Sequence, residues 1–353
     1  MARVLLCDYP NPDGRARLRA LRELGHEVLF FNSQAPTLDA PAAEPLKVAA
    51  RTLIPFSGKL SAFLNTRVTS ARLLAECEKF RPDIVLIIKG ANLRAAILRR
   101  IKRRLKPLLI NWFGDSLLTP GIRPLVEQDS GVYDFFFIID DKRALDLVRV
   151  RAAHVSTLPF ACDPEFHRPA PLTGAERSLY GSPVVFVGTV IPSREPALLA
   201  VAEFGLKIWG PSRNPLGTGN LARSPLASRW QGRSAYGEEA VKIYTASDIV
   251  LDVHFLFGGE QPISNVTARV FEVPACGGFL LTNACDQLER LYAVGTEMVC
   301  YRSLEELRRL TGYYLSHAEE RRAIAAHAQA RARSEHTFKR RLEEMFDLVA
   351  RKA

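Results

Sequence analysis

The sequence predicts an α/β protein made of two successive open units, each a parallel sheet with helices packed on it, and three observations predict it. Apolar runs of strand length alternate with helical stretches from residue 3 onward. That alternation pauses at residues 167–183 (HRPAPLTGAERSLYGSP), which carry the Pro and Gly of a connection, and then restarts. The chain has 353 residues, enough for two domains of ordinary size. The expected division is 1–170, 183–335, and a terminal segment 336–353 that returns to the first domain.

Taken in order, RVLLCDY is a first strand and GRARLRALRELGHE a helix with leucines at 18, 21 and 24. VLFFN is the next strand, so the chain opens on a βαβ unit, which requires a parallel sheet. A Pro- and Ala-rich connection over residues 35–45 leads to a mostly helical region ending at Phe80. PDIVLIIKG has the unbroken Ile/Val/Leu run of a strand buried on both faces. Residues 93–106 form a helix, LLINWFGD and YDFFFIIDD are strands, and HVSTLPFACD closes the first domain. In the second, VVFVGT is a strand, a helix starts near Arg194, LKIWG is a strand, GEEAVKIYTAS a helix and DIVLDVHF a strand. LEELRRLTGYYLSH, EERRAIAAHAQARA and Phe338–Lys352 are the closing helices.

Composition narrows the class. At 47% hydrophobic and 24% charged residues the chain is an ordinary globular one. Its six cysteines (7, 77, 162, 276, 285, 300) are scattered, with no CxxC pair and no zinc-site spacing. Reduced thiols in a cytosolic protein are therefore expected, with no disulfide and no metal. The N-terminal apolar run is too short for a signal peptide, and no stretch reaches the roughly 18 apolar residues of a membrane span. A net charge of +10 asks for an anionic partner without saying which.

The stretch ISNVTARVFEVPACGGFLLTN, residues 263–283, reads as a helix running into a buried strand and is the expected working centre. Ser264 is an N-cap type of residue, Val266, Val270 and Val273 are the apolar positions, and Gly277 and Gly278 end the helix. Asn265, Arg269 and Glu272 would then share one stripe of an otherwise apolar helix. Either the stripe is a solvated face with an internal Arg–Glu pair, or it serves a ligand. Free N–H groups at a helix start make an anion site, and Glu272 two turns deeper suits hydroxyl groups, a combination that fits a nucleoside diphosphate. Arg194, which opens a helix after a strand and a loop, suits a phosphate clamp or is a plain surface arginine. Gly188 admits a close ligand or merely turns the chain. His254 has the position of a core-edge histidine, and Asp140–Asp141 that of capping residues rather than metal ligands.

The basic charge concentrates in residues 94–106, which hold seven Lys/Arg and no acid. Leu93, Ile97, Ile101 and Leu105 recur at i+4, giving a basic amphipathic helix. A solvated helix held by its apolar stripe is one reading; contact with an anionic membrane surface or an acidic polymer is the other. No nucleic-acid motif is present, and nucleic acid is not expected as a partner.

The runs VVFVGTVIPSRE, LKIWGP, WQGRSAYGEEAVKIYTASDIVLDVH, ARVFEVPACGGFLLTN and EMVCYRSLEELRRLTGYYLSHAEERRAIA resemble the CgeB-like glycosyltransferases, a family named for a spore-maturation protein. RPDIVLIIKG, NWFGD and LPFACDPEFHRP resemble the same family's first domain. The resemblance implies the GT-B fold: two Rossmann-like domains facing across a cleft, the nucleotide-sugar donor held mainly by the second and the acceptor, a glycan, protein or lipid-linked molecule, mainly by the first. More distantly, the central stretch is similar to the E-x7-E segment of the retaining family-four glycosyltransferases. There Glu272 matches the second Glu, which holds the donor's ribose, and Ser264 stands where the first Glu belongs. The same likeness puts Arg194 where a diphosphate-contacting Lys is usual and Thr189 where an Arg is usual. Tyr236 falls where related enzymes contact the nucleobase, or packs a helix start.

On this footing the donor-side residues are Gly188, Thr189, Arg194, Tyr236, Ser264, Asn265, Val266, Arg269 and Glu272, with no cofactor and no metal. Charge developing on the departing diphosphate would be met by helix-start N–H groups, Arg194 and Arg269. With retention, the departing phosphate takes the acceptor's proton. With inversion, a base is needed, and Asp115 is the candidate, then Asp8. A catalytically silent module that binds a sugar nucleotide or glycan in surface or spore-coat assembly is the alternative from another class.

Overall fold

The computed structural model describes residues 1–34, 57–90, 92–117, 122–140, 142–213, 220–254 and 265–352. The chain divides into two compact units, residues 1–158 with 342–353, and residues 159–341.

The first unit contains strands β1 (Arg3–Asp8), β2 (Glu27–Asn32), β3 (Ile84–Ile88), β4 (Leu108–Phe113), β5 (Phe135–Ile138) and β6 (His154–Thr157), in the order β2-β1-β3-β4-β5-β6. Every pair is parallel, for example Leu5 opposite Val85 and Leu86 opposite Ile110. The βαβ opening dictates this: a parallel return needs a crossover, and α1 (Pro12–Glu23) supplies it, capped by Asn11 Oδ1 accepting from the Gly14 N–H at 2.8 Å. α2 (Ser57–Phe80), α3 (Ala95–Leu105), α4 (Ile122–Asp129) and α5 (Lys142–Leu147) complete the unit. The strand order changes direction between β1 and β3, so the carboxyl ends of those two strands form its switch point.

The second unit holds β7 (Val184–Val187), β8 (Leu206–Trp209), β9 (Ile249–Leu251), β10 (Leu280–Asn283) and β11 (Val299–Tyr301), ordered β11-β10-β9-β7-β8 and again all parallel. Side chains alternate across a strand, and here both sides are buried. Val185 and Val187 enter one core with Val250 and Leu280, while Val184 and Phe186 enter another with Ile249 and Leu281. That is the physical meaning of the unbroken apolar runs. The helices are α6 (Gly174–Tyr180), α7 (Glu195–Ala200), α8 (Glu238–Ala246), α9 (Arg269–Ala275), α10 (Asp286–Leu291), α11 (Leu304–Ser316) and α12 (Ala318–Glu335), and the closing helix α13 (Phe338–Lys352) has only its first four residues in this unit. The switch point lies between β7 and β9.

Several expectations are corrected. The units part after Leu158, not across residues 170–183, because the expected connection packs on the second unit. The Cys162 N–H donates to His336 O at 2.9 Å and the Ala170 N–H to Thr245 Oγ1 at 3.1 Å. The connection also contains α6, started by a Thr173–Glu176 capping box and tied down where Lys242 Nζ approaches Glu176 Oε1 to 2.6 Å. The strand read over DIVLDVHF stops at Leu251. On α3 the buried positions are Ala95, Leu98 and Ile101, with Ile97 and Leu105 only half-buried, so the apolar stripe is broader than the i+4 row. The connection expected over residues 35–45 lies outside the described residues. At the other end, α13 buries Phe338, Leu342, Met345 and Val349, and its residues from 342 onward group with the first unit, where Phe346 meets the His26 ring at 4.8 Å.

Candidate functional site

Polar side chains gather where β7, β9, β10 and β11 end. β9 is followed at once by Asp252, a carboxylate that is 0% exposed. Each of its oxygens is satisfied. Oδ1 accepts from Arg269 Nε at 2.8 Å and lies 2.8 Å from Nη2, while Oδ2 accepts from Thr267 Oγ1 at 2.9 Å and Thr282 Oγ1 at 3.1 Å. Arg269 also donates from Nη1 to Val187 O at 3.1 Å, so it bridges the ends of the two central strands. Arg194, 6% exposed, donates from Nε to Val253 O at 2.7 Å and from Nη1 to Thr189 O at 2.8 Å.

Both guanidinium groups lie over the same ring: Arg194 is 5.6 Å and Arg269 5.9 Å from the centre of Phe186. Gly188 makes room for them, since a Cβ there would come within 3.2 Å of Phe186 and 3.4 Å of Arg269 Nη1. The electrostatics follow from this crowding. Burial, and then the neighbouring Arg269, pull the Arg194 guanidinium down to about 9. Burial opposes the charge on Asp252, yet Arg269 and the hydrogen bonds hold its carboxyl below the usual range. Half-buried Arg269 is paired with buried Asp252, and buried Arg194 places a second guanidinium group beside them. Such a site favours an anion.

His254 follows two residues later, its backbone N–H donating to Asn283 Oδ1 at 2.7 Å. Tyr301 donates its hydroxyl to the same Asn283 oxygen at 3.1 Å, which knits together the ends of β9, β10 and β11. Burial pushes His254 down to about 4, and it does the same to His336. For His336 the contacts agree: Nε2 donates to Leu291 O at 2.9 Å, and Nδ1 accepts from Arg341 Nη2 at 3.2 Å, the pattern of a neutral ring. Because both folded values lie below the 6.5 of the unfolded chain, only the unfolded state takes up protons between those limits. Stability is therefore complete above pH 6.5 and falls as pH drops toward 4. Each ring accounts for about 3 kcal/mol of that loss at most. Urea midpoints measured from pH 7.5 to 4 should decline over that window, and His336→Gln should flatten the decline.

The sequence-derived candidates separate into those that meet here and those that do not. Gly188, Thr189, Arg194 and Arg269 converge on the ends of β7 and β9. The helix expected from Ser264 begins instead at Arg269, behind Ala268, and has seven residues. Ser264 lies outside the described residues. Asn265 and Val266 are buried but precede the helix: the Val266 N–H is taken by Gln287 Oε1 at 2.7 Å, and Asn265 Nδ2 donates to Val266 O at 3.4 Å. Those bonds hold the segment as loop, so the expected anion site at the helix start is not formed by residues 265 and 266. Arg269 and Glu272 still share a helix face, at i and i+3, but Arg269 pairs with Asp252 rather than Glu272. Gly277 ends the helix as expected, with φ 75.

Tyr236 is 77% exposed. Asp115 belongs to the first unit, where Lys89 Nζ sits 2.7 Å from its Oδ2. Asp8 is fully engaged by Arg17 at 2.7 and 3.2 Å and by the Tyr9 N–H at 2.7 Å. Asp140 accepts from the Leu117 N–H at 2.6 Å, which is loop-holding work, and Asp141 lies outside the described residues. Asp252 was missed by reading motifs, although an acid interrupting the run IVLDVH is its signal.

Residues 194–347 match the model of a family described as glycosyl transferase-like, a stretch that contains Arg194, Asp252, Arg269 and Glu272. No curated protein sequence matches the chain. Among solved structures it is similar to sucrose-phosphate synthase from Thermosynechococcus elongatus, at 10% identity and a TM-score of 0.67 over 99% of each chain. It is also similar to Anabaena HepE in complex with UDP-glucose, at 12% identity and a TM-score of 0.63, covering 99% of this chain and 100% of that one. A glycosyltransferase from Rickettsia africae aligns over 98% of this chain and 97% of its own at 13% identity, TM-score 0.62. The fold is GT-B, and the stretch that matches the family model lies mainly in the second unit.

Proposed function

We propose that the protein is a glycosyltransferase of the CgeB-like kind that takes its sugar from a nucleoside diphosphate donor held by the second unit. The observation that carries this reading is the pair of buried Arg194 and half-buried Arg269, beside the buried carboxylate of Asp252, at the switch point of the second sheet and inside the family match. The donor's diphosphate is the anion that these two guanidinium groups suit, approached closely because Gly188 has no side chain. Glu272, half-buried one turn beyond Arg269, holds the ribose hydroxyls, and exposed Tyr236 packs on the nucleobase. Anabaena HepE, whose structures contain UDP and UDP-glucose, makes a uridine diphosphate sugar the first donor to test.

In the reaction the bond from the sugar's anomeric carbon to the diphosphate oxygen breaks and a bond to an acceptor oxygen forms. Charge builds on the departing diphosphate, where fixed guanidinium groups stabilise it without a metal. Retention is favoured because the two candidate bases are already engaged, Asp115 by Lys89 and Asp8 by Arg17. The departing phosphate then accepts the acceptor's proton. Incubation with UDP-glucose should release UDP slowly to water and faster with an acceptor. Binding without release would identify a silent module, and neither binding nor release of any nucleotide sugar would contradict the proposal.

For the acceptor side, a peripheral contact with an anionic membrane is the further part of the reading. Among the described residues no helix is long and apolar enough to cross a membrane. On α3, Lys102 pairs with Asp134 and Arg104 with Glu78, whereas Arg94, Arg99, Arg100 and Arg103 are exposed. Each exposed cation is worth about 1 kcal/mol at an anionic surface. Changing Arg99, Arg100 and Arg103 to Gln should therefore release the protein from phosphatidylserine vesicles; unchanged sedimentation would end the membrane idea.

A further inference from the structure

The carboxyl ends of the first sheet hold a second cluster, which the donor chemistry leaves unused. Lys89 follows β3 and Asp115 comes shortly after β4, and their side chains pair at 2.7 Å. Beside them opens a cavity of about 60 Å³. Its walls are mostly apolar, with Leu98 from α3, Phe113 from β4, Val126 from α4, Phe136 from β5 and the 49% exposed Leu125, while Lys89, Asp129, Ser130 and Tyr133 add polar groups.

One buried side-chain oxygen among the residues lining this space lacks a partner, although its own amide nitrogen is engaged and the Tyr133 side chain bonds with the same residue. Asn111, 1% exposed on β4, donates from its amide nitrogen to Lys89 O at 3.3 Å, while its Oδ1 has no hydrogen-bond partner. A buried carbonyl oxygen without a donor weakens the fold unless something supplies one. The backbone that frames the space is also unusual. Lys89 has φ 65 and Gly90 φ 79, consecutive left-handed residues at the end of a strand. Such strain in a residue that is not glycine collects at functional positions. Gly90 cannot carry a side chain here: a Cβ would come within 2.9 Å of Ile87 Cγ2 and 3.2 Å of the Tyr133 hydroxyl.

Mostly apolar walls ask for carbon, and the Asn111 oxygen asks for one donor. We propose that this cavity seats a compact alkyl group bearing a single O–H or N–H donor, the anchoring end of the acceptor, with the donor directed to Asn111 Oδ1. The ligand's role as acceptor rests on the transferase reading; the binding itself does not. The acceptor class implied is an amphipathic molecule rather than an all-polar glycan.

Two isomers of one formula test this directly. 1-Butanol carries a donor, and diethyl ether has the same atoms without one. Titrated into the full chain and followed by the methyl resonances of Leu98 and Val126, 1-butanol should give saturable shifts and bind several-fold more tightly than diethyl ether. Ala95 also lines the cavity, and Ala95→Phe should abolish both responses by filling it. Asn111→Leu, which keeps the volume and removes the carbonyl, should erase the preference for the alcohol. Equal binding of the two isomers, no saturable shift with either, or a single ordered water at Asn111 that 1-butanol does not displace would overturn the proposal. A thermal shift with UDP on the same samples separates the two ideas. Loss of the butanol response with the UDP shift intact removes only the cavity, and the reverse removes only the donor reading.

Discussion

Replacing Arg269 with alanine is expected to destabilise the second unit by about 3–5 kcal/mol, the cost of leaving a buried carboxylate without its cation. Asp252 has no exposure and would keep only the two threonine hydroxyls, while Val187 O would lose its donor. Urea unfolding followed through Trp209 and Trp230, both in this unit, measures the loss. The double change Arg269→Met with Asp252→Asn should recover part of it, since removing both charges avoids the orphaned carboxylate. A single-variant loss below about 1 kcal/mol, the size expected of a surface pair, would mean that the ends of β7 and β9 are not bound together as described.

Arg194→Gln should act in the opposite proportion. Its two bonds to Val253 O and Thr189 O tie down loops rather than neutralise a carboxylate, so about 1–3 kcal/mol of stability is at risk. Turnover of the donor should fall by roughly 10²–10³-fold, as when one fixed donor to developing oxyanion charge is removed. Arg194→Lys should fall between, keeping the charge but not the planar fork that reaches both carbonyls. Steady-state UDP release, with melting curves on the same preparations, distinguishes the effects. Wild-type turnover in a folded Arg194→Gln protein would remove Arg194 from the chemistry.

The contrast between these arginines shows what the sequence made legible. Strand runs such as VVFV and IVLII announce themselves because a parallel sheet with both faces covered needs unbroken apolar residues, and the last helix is bounded as expected at Phe338–Lys352. Helix starts were harder. Ser264 is a good capping type, but nothing local revealed that Gln287, 21 residues on, takes the Val266 N–H and holds that segment as loop. Asp252 was hidden for a similar reason: its partners Thr267, Arg269 and Thr282 lie 15, 17 and 30 residues away and meet only once β9 and β10 are side by side. Arg194 and Arg269 were found as types in suggestive places; their shared contact with Phe186 is tertiary information. Likewise, the Thr173–Glu176 capping box went unread, because the prolines and glycines of that stretch made it look like a connection.

Nucleotide binding by the second unit is the most direct test of the donor site. Thermal shifts with a panel of nucleoside diphosphates should show one base preferred, with about 2.7 kcal/mol of stabilisation at a hundredfold excess over the dissociation constant. The shift should disappear in Arg194→Gln and weaken in Glu272→Ala. No shift with any nucleotide in the wild-type protein, or one untouched by both substitutions, would contradict a donor site at the ends of β7 and β9.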